Sequence, residues 1–208
     1  MPVKPESPRI SEYLTPCDEW PDEDEVMNVL FEDLELTKED LHSRELNGCI
    51  LRRCRLTGAD LRRADMVDVV LEKCDLSGAD FEDAVFQRVR FENCRMTGTD
   101  MVGALLRNTV IANSRADYLN LSGAKLDHTA FTGVQLQEAS MTACQLRQVT
   151  LENCDMTRMT IGQTSMKGVD VRTDRIDGLL IGPNDLRGMI VTVDQAGDLA
   201  RLMGLVVR

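Results

Sequence analysis

From Leu36 to Val191 every fifth residue is Leu, Met, Phe, Ile, Val or Ala, which makes thirty-two consecutive positions without one polar side chain. A period of five is neither the 3.6 of an α-helix nor the 2 of a strand. A fixed short period of this kind marks a solenoid, in which each unit leans on its neighbours. With i the apolar position, i−2 is small or apolar along Cys54, Ala59, Ala64, Val69, Cys74, Ala79, Ala84, Val89 and Cys94. Residues two apart on extended backbone face the same way. Positions i−2 and i therefore point inward, and the other three face out or turn.

A second period sets the number of sides. Leu56-Thr57-Gly58-Ala59-Asp60-Leu61, Leu76-Ser77-Gly78-Ala79-Asp80-Phe81 and Met96-Thr97-Gly98-Thr99-Asp100-Met101 lie twenty residues apart. Cys54, Cys74, Cys94 and Cys154 keep the same phase. Four five-residue sides thus close one coil, and residues 36–191 make about eight coils. At about 4.8 Å between hydrogen-bonded strands, the rod is roughly 38 Å long.

Ala59-Asp60-Leu61, Ala64-Asp65-Met66 and Ala79-Asp80-Phe81 resemble the A(D/N)LXX unit of the pentapeptide-repeat family. The resemblance covers about three quarters of the chain. It implies an all-β fold, a right-handed quadrilateral β-helix.

The segments outside the repeat differ in material. Residues 1–25 hold five of the six prolines, and six acids surround Trp20. Such a segment buries too little apolar surface to order itself alone. It is expected as a flexible tail, a cap laid on the rod's open end, or an acidic partner motif anchored by Trp20. It has no apolar run, so it does not read as a signal peptide, and a cytoplasmic location is expected. Residues 26–45 are expected to form the N-terminal cap and first turn, imperfect because Glu39 and Arg44 occupy inward positions. Residues 46–191 are the uninterrupted β-helix, thin at Ala116, where Leu119 restores volume and Tyr118 marks a possible notch.

Residues 192–208 read as a helix and a tail. Asp194 serves as N-cap, Ala196, Leu199, Ala200 and Met203 share a face, and Gly204 ends the helix. Asp185-Leu186-Arg187-Gly188, Val193-Asp194-Gln195-Ala196 and Leu202-Met203-Gly204-Leu205 resemble the C-terminal module of the Qnr- and MfpA-type pentapeptide-repeat proteins. That group protects DNA gyrase from quinolones. The resemblance implies that the helix caps the solenoid and joins two protomers tail to tail, through Leu199, Leu202, Met203, Leu205 and Val207.

The chemistry of catalysis is missing from the pattern. The cysteines fall mostly at inward positions, where a thiol acts as a small hydrophobe, and there is no C-x-x-C pair. His42 and His128 face outward with no nucleophile placed beside them. No phosphate loop and no metal-spaced cluster occurs. No enzyme, cofactor, metal site or membrane partner is expected.

Charge changes the picture more. The net of −11 sits almost wholly in residues 1–45, with 14 acids and 4 bases, whereas residues 46–208 hold 21 acids and 20 bases. A DNA duplex carries one negative charge per about 1.7 Å, so the rod as a whole is no duplex surrogate. One side, however, gathers Asp60, Asp80, Glu82, Asp83 and Asp100 against Arg62 and Arg63. Another gathers Arg88, Arg107, Lys125, Arg147, Lys167 and Arg187. Direct DNA binding through the basic side is disfavoured by the net charge. The acidic stripe either bonds turn backbone, as the family resemblance implies, or mimics DNA toward a protein partner such as gyrase. The alternative is a general protein scaffold.

Overall fold

The computed structural model describes residues 4–202 and 204–207 and realises the five-residue period as a four-sided β-solenoid of about eight coils. Its first strands are β1 (Thr15–Cys17), β2 (Glu25–Met27), β3 (Val29–Glu32), β4 (Glu45–Asn47), β5 (Ile50–Arg52), β6 (Asp65–Glu72) and β7 (Val85–Glu92). Pairing is parallel, and β4 meets β6 through Leu46↔Met66 and β6 meets β7 through Met66↔Phe86. Each coil therefore advances the register by twenty residues. In the first coils the other two sides are held by single-residue bridges, Glu35↔Arg55↔Asp75↔Arg95 and Asp40↔Asp60↔Asp80↔Asp100, and the second of these sides becomes a three-stranded parallel sheet from Ser140 to Ile181.

The corners explain why the unit is five residues long. Every residue from 28 to 163 whose number ends in 3 or 8 has a positive φ, for example Arg63 at 57°, Asp83 at 57° and Gly78 at 64°. This left-handed conformation turns the chain after each short side. It costs an L-residue about 1–2 kcal/mol, and Gly58, Gly78 and Gly98 avoid that cost. At the other corners the N–H still bonds to the coil that follows, as Arg63 does to the carbonyl of Glu82 at 2.8 Å.

The interior is a stack of centres, with Phe81, Phe86 and Phe91 filling three sides of one coil at ring separations of 5.5 and 5.6 Å. Beside them the i−2 side chains do a second job. Cys74 Sγ donates to the carbonyl of Leu51 at 3.3 Å, Thr99 Oγ1 to Leu76 at 2.8 Å and Thr164 Oγ1 to Met141 at 2.9 Å. All seven cysteines are free thiols, and six are buried. Burial pushes Cys144 and Cys154 up to about 11.

Residues 4–25 lie against the rod. The N–H of Glu6 donates to Asn108 Oδ1 at 3.2 Å and that of Arg9 to Asp68 Oδ1 at 2.8 Å. Asp68 also takes both prongs of Arg88, at 2.6 and 2.7 Å. Burial works against its charge, but these bonds hold its carboxyl below the usual range. The segment then enters β1, which pairs with β3, and Trp20 stacks on Phe31 at 4.9 Å. The two misfit residues of the first turn are resolved differently. Glu39 is exposed, whereas Arg44 Nη1 reaches the carbonyls of Asp22 and Glu23 at 2.9 and 2.7 Å.

The far end is closed by α1 (Val193–Leu202). Its cap is Thr192 rather than Asp194. Thr192 Oγ1 accepts from the N–H of Gln195 at 3.2 Å, and Gln195 Oε1 accepts from the N–H of Thr192 at 2.8 Å, a reciprocal box that satisfies two orphan donors. Gln195 Nε2 then fastens the helix to the carbonyls of Val171 and Asp174. Gly204, at φ 81°, ends it, with Leu205 N–H bonding back to the carbonyl of Ala200.

Asp174 is the last inward polar residue. Its Oδ1 accepts from the N–H of Cys154 at 2.7 Å, but its Oδ2 is buried with no partner among the described residues. Burial, then the nearby carboxylates of Asp170 and Glu152, push its acidity weaker. A raised carboxyl pKa destabilises the fold once pH exceeds the unfolded value of about 3.9. Asp174→Asn keeps the acceptor and adds a donor of the kind that Thr164 supplies. We expect it to raise the melting temperature at pH 7 by on the order of 3 °C, with the gain vanishing below about pH 4, as measured by calorimetry across pH.

Candidate partner-binding surface

One column of side chains repeats along one side of the rod at i−1. Asp40, Asp60, Asp80 and Asp100 bridge coil to coil and are followed by Asn120 and Ser140. Each acid caps its own corner. Asp40 Oδ1 accepts from the N–H of His42 at 3.2 Å, Asp60 from Arg62 at 3.1 Å, Asp80 from Glu82 at 2.9 Å and Asp100 from Val102 at 2.9 Å. Asn120 makes the same bond to Ser122 at 3.1 Å. This is the Asx turn, which short polar side chains form with backbone two residues on.

The turn uses one oxygen of each carboxylate and leaves the other. At Asp60 that second oxygen is taken by Arg62, whose guanidinium forks across both oxygens at 2.9 and 2.5 Å and holds the carboxyl below the usual range. Arg62 reaches Asp80 only at 3.7 Å, and Asp80 keeps 40% of its side chain exposed. Asp100 Oδ2 meets only Asn120 Nδ2, at 3.5 Å. Glu82 and Asp83 are exposed at the next corner positions, and Asp83 lies over Gly103, where a Cβ would collide with it. The stripe is therefore continuous, and Asp40 belongs to it. Its spacing follows the coil rise of about 4.8 Å, with Arg62 cancelling charge at its Asp60 end. Asp40 was readable from the twenty-residue phase and was missed because it precedes the well-formed repeats.

The opposite charge is thinner than the sequence suggests. Arg88 is not part of a basic surface, because its guanidinium is folded onto Asp68 with only 12% of the side chain exposed. Arg147 sits 3.7 Å from Asp127, which also meets His128 Nδ1 at 2.8 Å. Among the described residues no group of His, Cys, Asp and Glu is placed to hold a metal, and no helix is long and apolar enough to cross a membrane.

The C-terminal end presents apolar surface. Val193 is 90% exposed and Leu205 61%, and Leu180, Ile190, Leu202, Val206 and Val207 are also open. Leu199, expected at a dimer interface, is 7% exposed and packs into the end of its own core. It is the one helix residue that seals the last coil. Met203 lies outside the described residues.

Comparison with known proteins agrees with this architecture. The sequence profile described as "Pentapeptide repeat region" matches residues 44–121 and 84–161, together more than half of the chain. No curated protein matches the sequence. Among solved structures, full-length QnrB1, a plasmid-mediated fluoroquinolone resistance protein, is 21% identical, with 87% of this chain and 90% of that one covered at a TM-score of 0.38. HetL, a pentapeptide repeat protein involved in heterocyst differentiation regulation from the cyanobacterium Nostoc sp. strain PCC 7120, is 19% identical, covering 79% and 90% at 0.23. A pentapeptide repeat protein from the Arabidopsis thaliana thylakoid lumen is 26% identical, covering 56% and 69% at 0.32.

Asn120 already performs the turn within the acidic column, so Asn is expected to serve at its neighbours. The combined variant Asp60→Asn, Asp80→Asn and Asp100→Asn should melt within about 3 °C of the parent. The corresponding triple Ala variant loses three turn bonds at about 0.5–1.5 kcal/mol each and should melt clearly lower. Thermal unfolding of the two variants checks the assignment.

Proposed function

This chain belongs to the pentapeptide-repeat family, and from that premise we propose that it is a non-catalytic protein that acts by presenting the side of its rod to a protein partner. The partner of best fit is a DNA-binding enzyme of the gyrase and topoisomerase class, for which the acidic column stands in for part of a duplex. The observation that carries this reading is the column itself. Asp40, Asp60, Asp80 and Asp100 stack one per coil, each orienting its carboxylate through the same corner bond. The resemblance of the C-terminal sequence to gyrase-protecting proteins supports the same class. Fixed carboxylates lose little freedom on binding, which favours a rigid mimic over a flexible acidic tail. Protection from topoisomerase poisons such as fluoroquinolones is the activity that follows.

A second reading, a general protein-interaction scaffold, is favoured by one specific observation. Beyond residue 45 the chain holds 21 acids against 20 bases, so attraction toward a DNA-binding cleft comes from one side only. Direct nucleic-acid binding is disfavoured by the net charge of −11.

The intact protein is proposed to be a homodimer through its C-terminal end, where Leu202, Leu205 and Val207 remain open after Leu199 has been used in the core. Light scattering should give twice the 23.3 kDa chain mass, and Leu202→Asp with Leu205→Asp should give a folded monomer. A monomeric intact protein at micromolar concentration removes the dimer.

The functional test uses gyrase from the same host in a supercoiling and cleavage assay with a fluoroquinolone. The intact protein should lower trapped cleavage complexes. The Asp60→Asn, Asp80→Asn and Asp100→Asn variant should protect at least tenfold less well, and binding should weaken steeply with salt, since screening acts over about 10 Å at 0.1 M. Equal protection by both proteins discards the column as the contact. No effect of the intact protein across several poisons leaves the scaffold reading.

A further inference from the structure

At the N-terminal end of the rod, among the described residues, only the β3 side of the first coil is covered by an earlier strand, β1, and β2 and the sides at Glu35 and Asp40 are open. Glu35 pairs forward with Arg55 and Asp40 with Asp60, but no preceding coil covers them. Among the described residues no backbone hydrogen bond reaches the N–H or the carbonyl of Glu35 or Asp40. One coil later the same positions are fully used. Arg55 donates to the carbonyl of Leu34 at 2.8 Å and accepts from Leu36 at 2.7 Å, and Asp60 does the same with Glu39 and Leu41 at 2.9 and 2.7 Å. Two residues of a parallel edge thus stand with donor and acceptor free.

A cavity of about 600 Å³ lies along this edge, and Leu34, Leu36, Leu41, Trp20 and Pro21 are among its lining residues. The lining is acidic, with Asp18, Glu19 and Asp22 from the N-terminal segment and Asp33, Glu35, Glu39 and Asp40 from the first coil. The lone base of the lining, Arg44, is committed to the carbonyls of Asp22 and Glu23 and to Asp24. Trp20, which also lines the cavity, has its indole Nε1 buried without an acceptor among the described residues.

We propose that this groove binds a cationic peptide segment, which turns one corner as the rod's own chain does and adds its backbone to the open edge at Glu35 and Asp40. Added main-chain bonds supply affinity in such a mode, and alternate side chains supply selection. Here the edges of Leu34 and Trp20 offer limited apolar contact, and Lys or Arg along the segment meets the carboxylates of the lining. The charge also excludes other occupants. A nucleic acid or an acidic peptide is repelled, and so is a second copy of this end, because residues 1–45 hold 14 acids and 4 bases. This site lies at the end of the rod and does not rest on the topoisomerase reading.

The chain has a single tryptophan, Trp20, so its emission reports on the groove directly. The intact protein is titrated with three peptides: an alternating Lys-Val octapeptide, the same peptide N-methylated at alternate amides, and a Glu-Val counterpart. Saturable change in Trp20 emission is expected with Lys-Val, at least tenfold weaker with the N-methylated peptide, and absent with Glu-Val. Glu35→Lys with Asp40→Lys should abolish the change, while Glu138→Lys with Glu152→Lys, several coils from the groove, should keep it. Should the first pair unfold the protein, Asp18→Lys with Glu19→Lys on the exposed segment is read in its place. The proposal is overturned if Lys-Val gives no saturable change. Equal binding of the N-methylated peptide overturns strand addition and leaves charge alone. Undiminished binding by a folded charge-reversal variant overturns the location.

Discussion

Everything in this structure depends on the parallel backbone ladder between successive coils. A five-residue side is too short to be stable by itself, and its polar backbone is satisfied only by the coils before and after it. The corner residues accept a left-handed conformation because that turn returns the chain to the same ladder. The inward side chains follow the same demand. Cys74, Thr99 and Thr164 each fill a small volume and give a weak or strong donor to a carbonyl of the preceding coil. Where that donor is missing, at Asp174, a buried oxygen goes unmatched.

A ladder of this kind has two ends, and an uncovered parallel edge invites association. The chain treats its ends differently. At the C-terminus, α1 is clamped by Gln195 to the last coil and plugs it with Leu199. At the N-terminus, the acidic segment crosses the opening, held by Arg44 and the Trp20–Phe31 stack, and among the described residues only the β3 side of the first coil is covered by an earlier strand. In the proposed reading, the acid-rich segment selects by charge what approaches the open edge.

In the proposed reading, the acidic column gives a structural residue a second use on the surface. A carboxylate at i−1 is used first to hold its own corner, through one oxygen. The repeat then places the second oxygen of each at a fixed interval on one side. Arg62 occupies that oxygen at Asp60, while Asp80 and Asp100 remain more open. Binding capacity on such a surface is tuned by neighbouring basic residues rather than by adding acids.

The sequence by itself determined the period of five, the coil of twenty, the buried centres and the column of Asp60, Asp80 and Asp100. Those features were legible because each is a local rule repeated many times, so errors in one unit are corrected by the next. Gly58, Gly78 and Gly98 even announced the corner phase that Arg63 and Asp83 share at a strained φ. Tertiary structure alone decided the rest. The path of residues 4–25 depends on contacts such as Arg9 to Asp68 and Glu6 to Asn108, 59 and 102 residues apart. Asp68 also drew Arg88 out of the basic face, and the packing of the end coil buried Leu199, which the sequence had offered to a dimer interface. The end groove exists only because the acidic segment crosses some sides of the first coil and not others. No periodicity encodes the path of the acidic segment or the end groove, since each depends on single meetings of distant residues, settled by which charges and backbone groups find partners when the whole rod has formed, whereas the Asp68–Arg88 pair lies on the twenty-residue period.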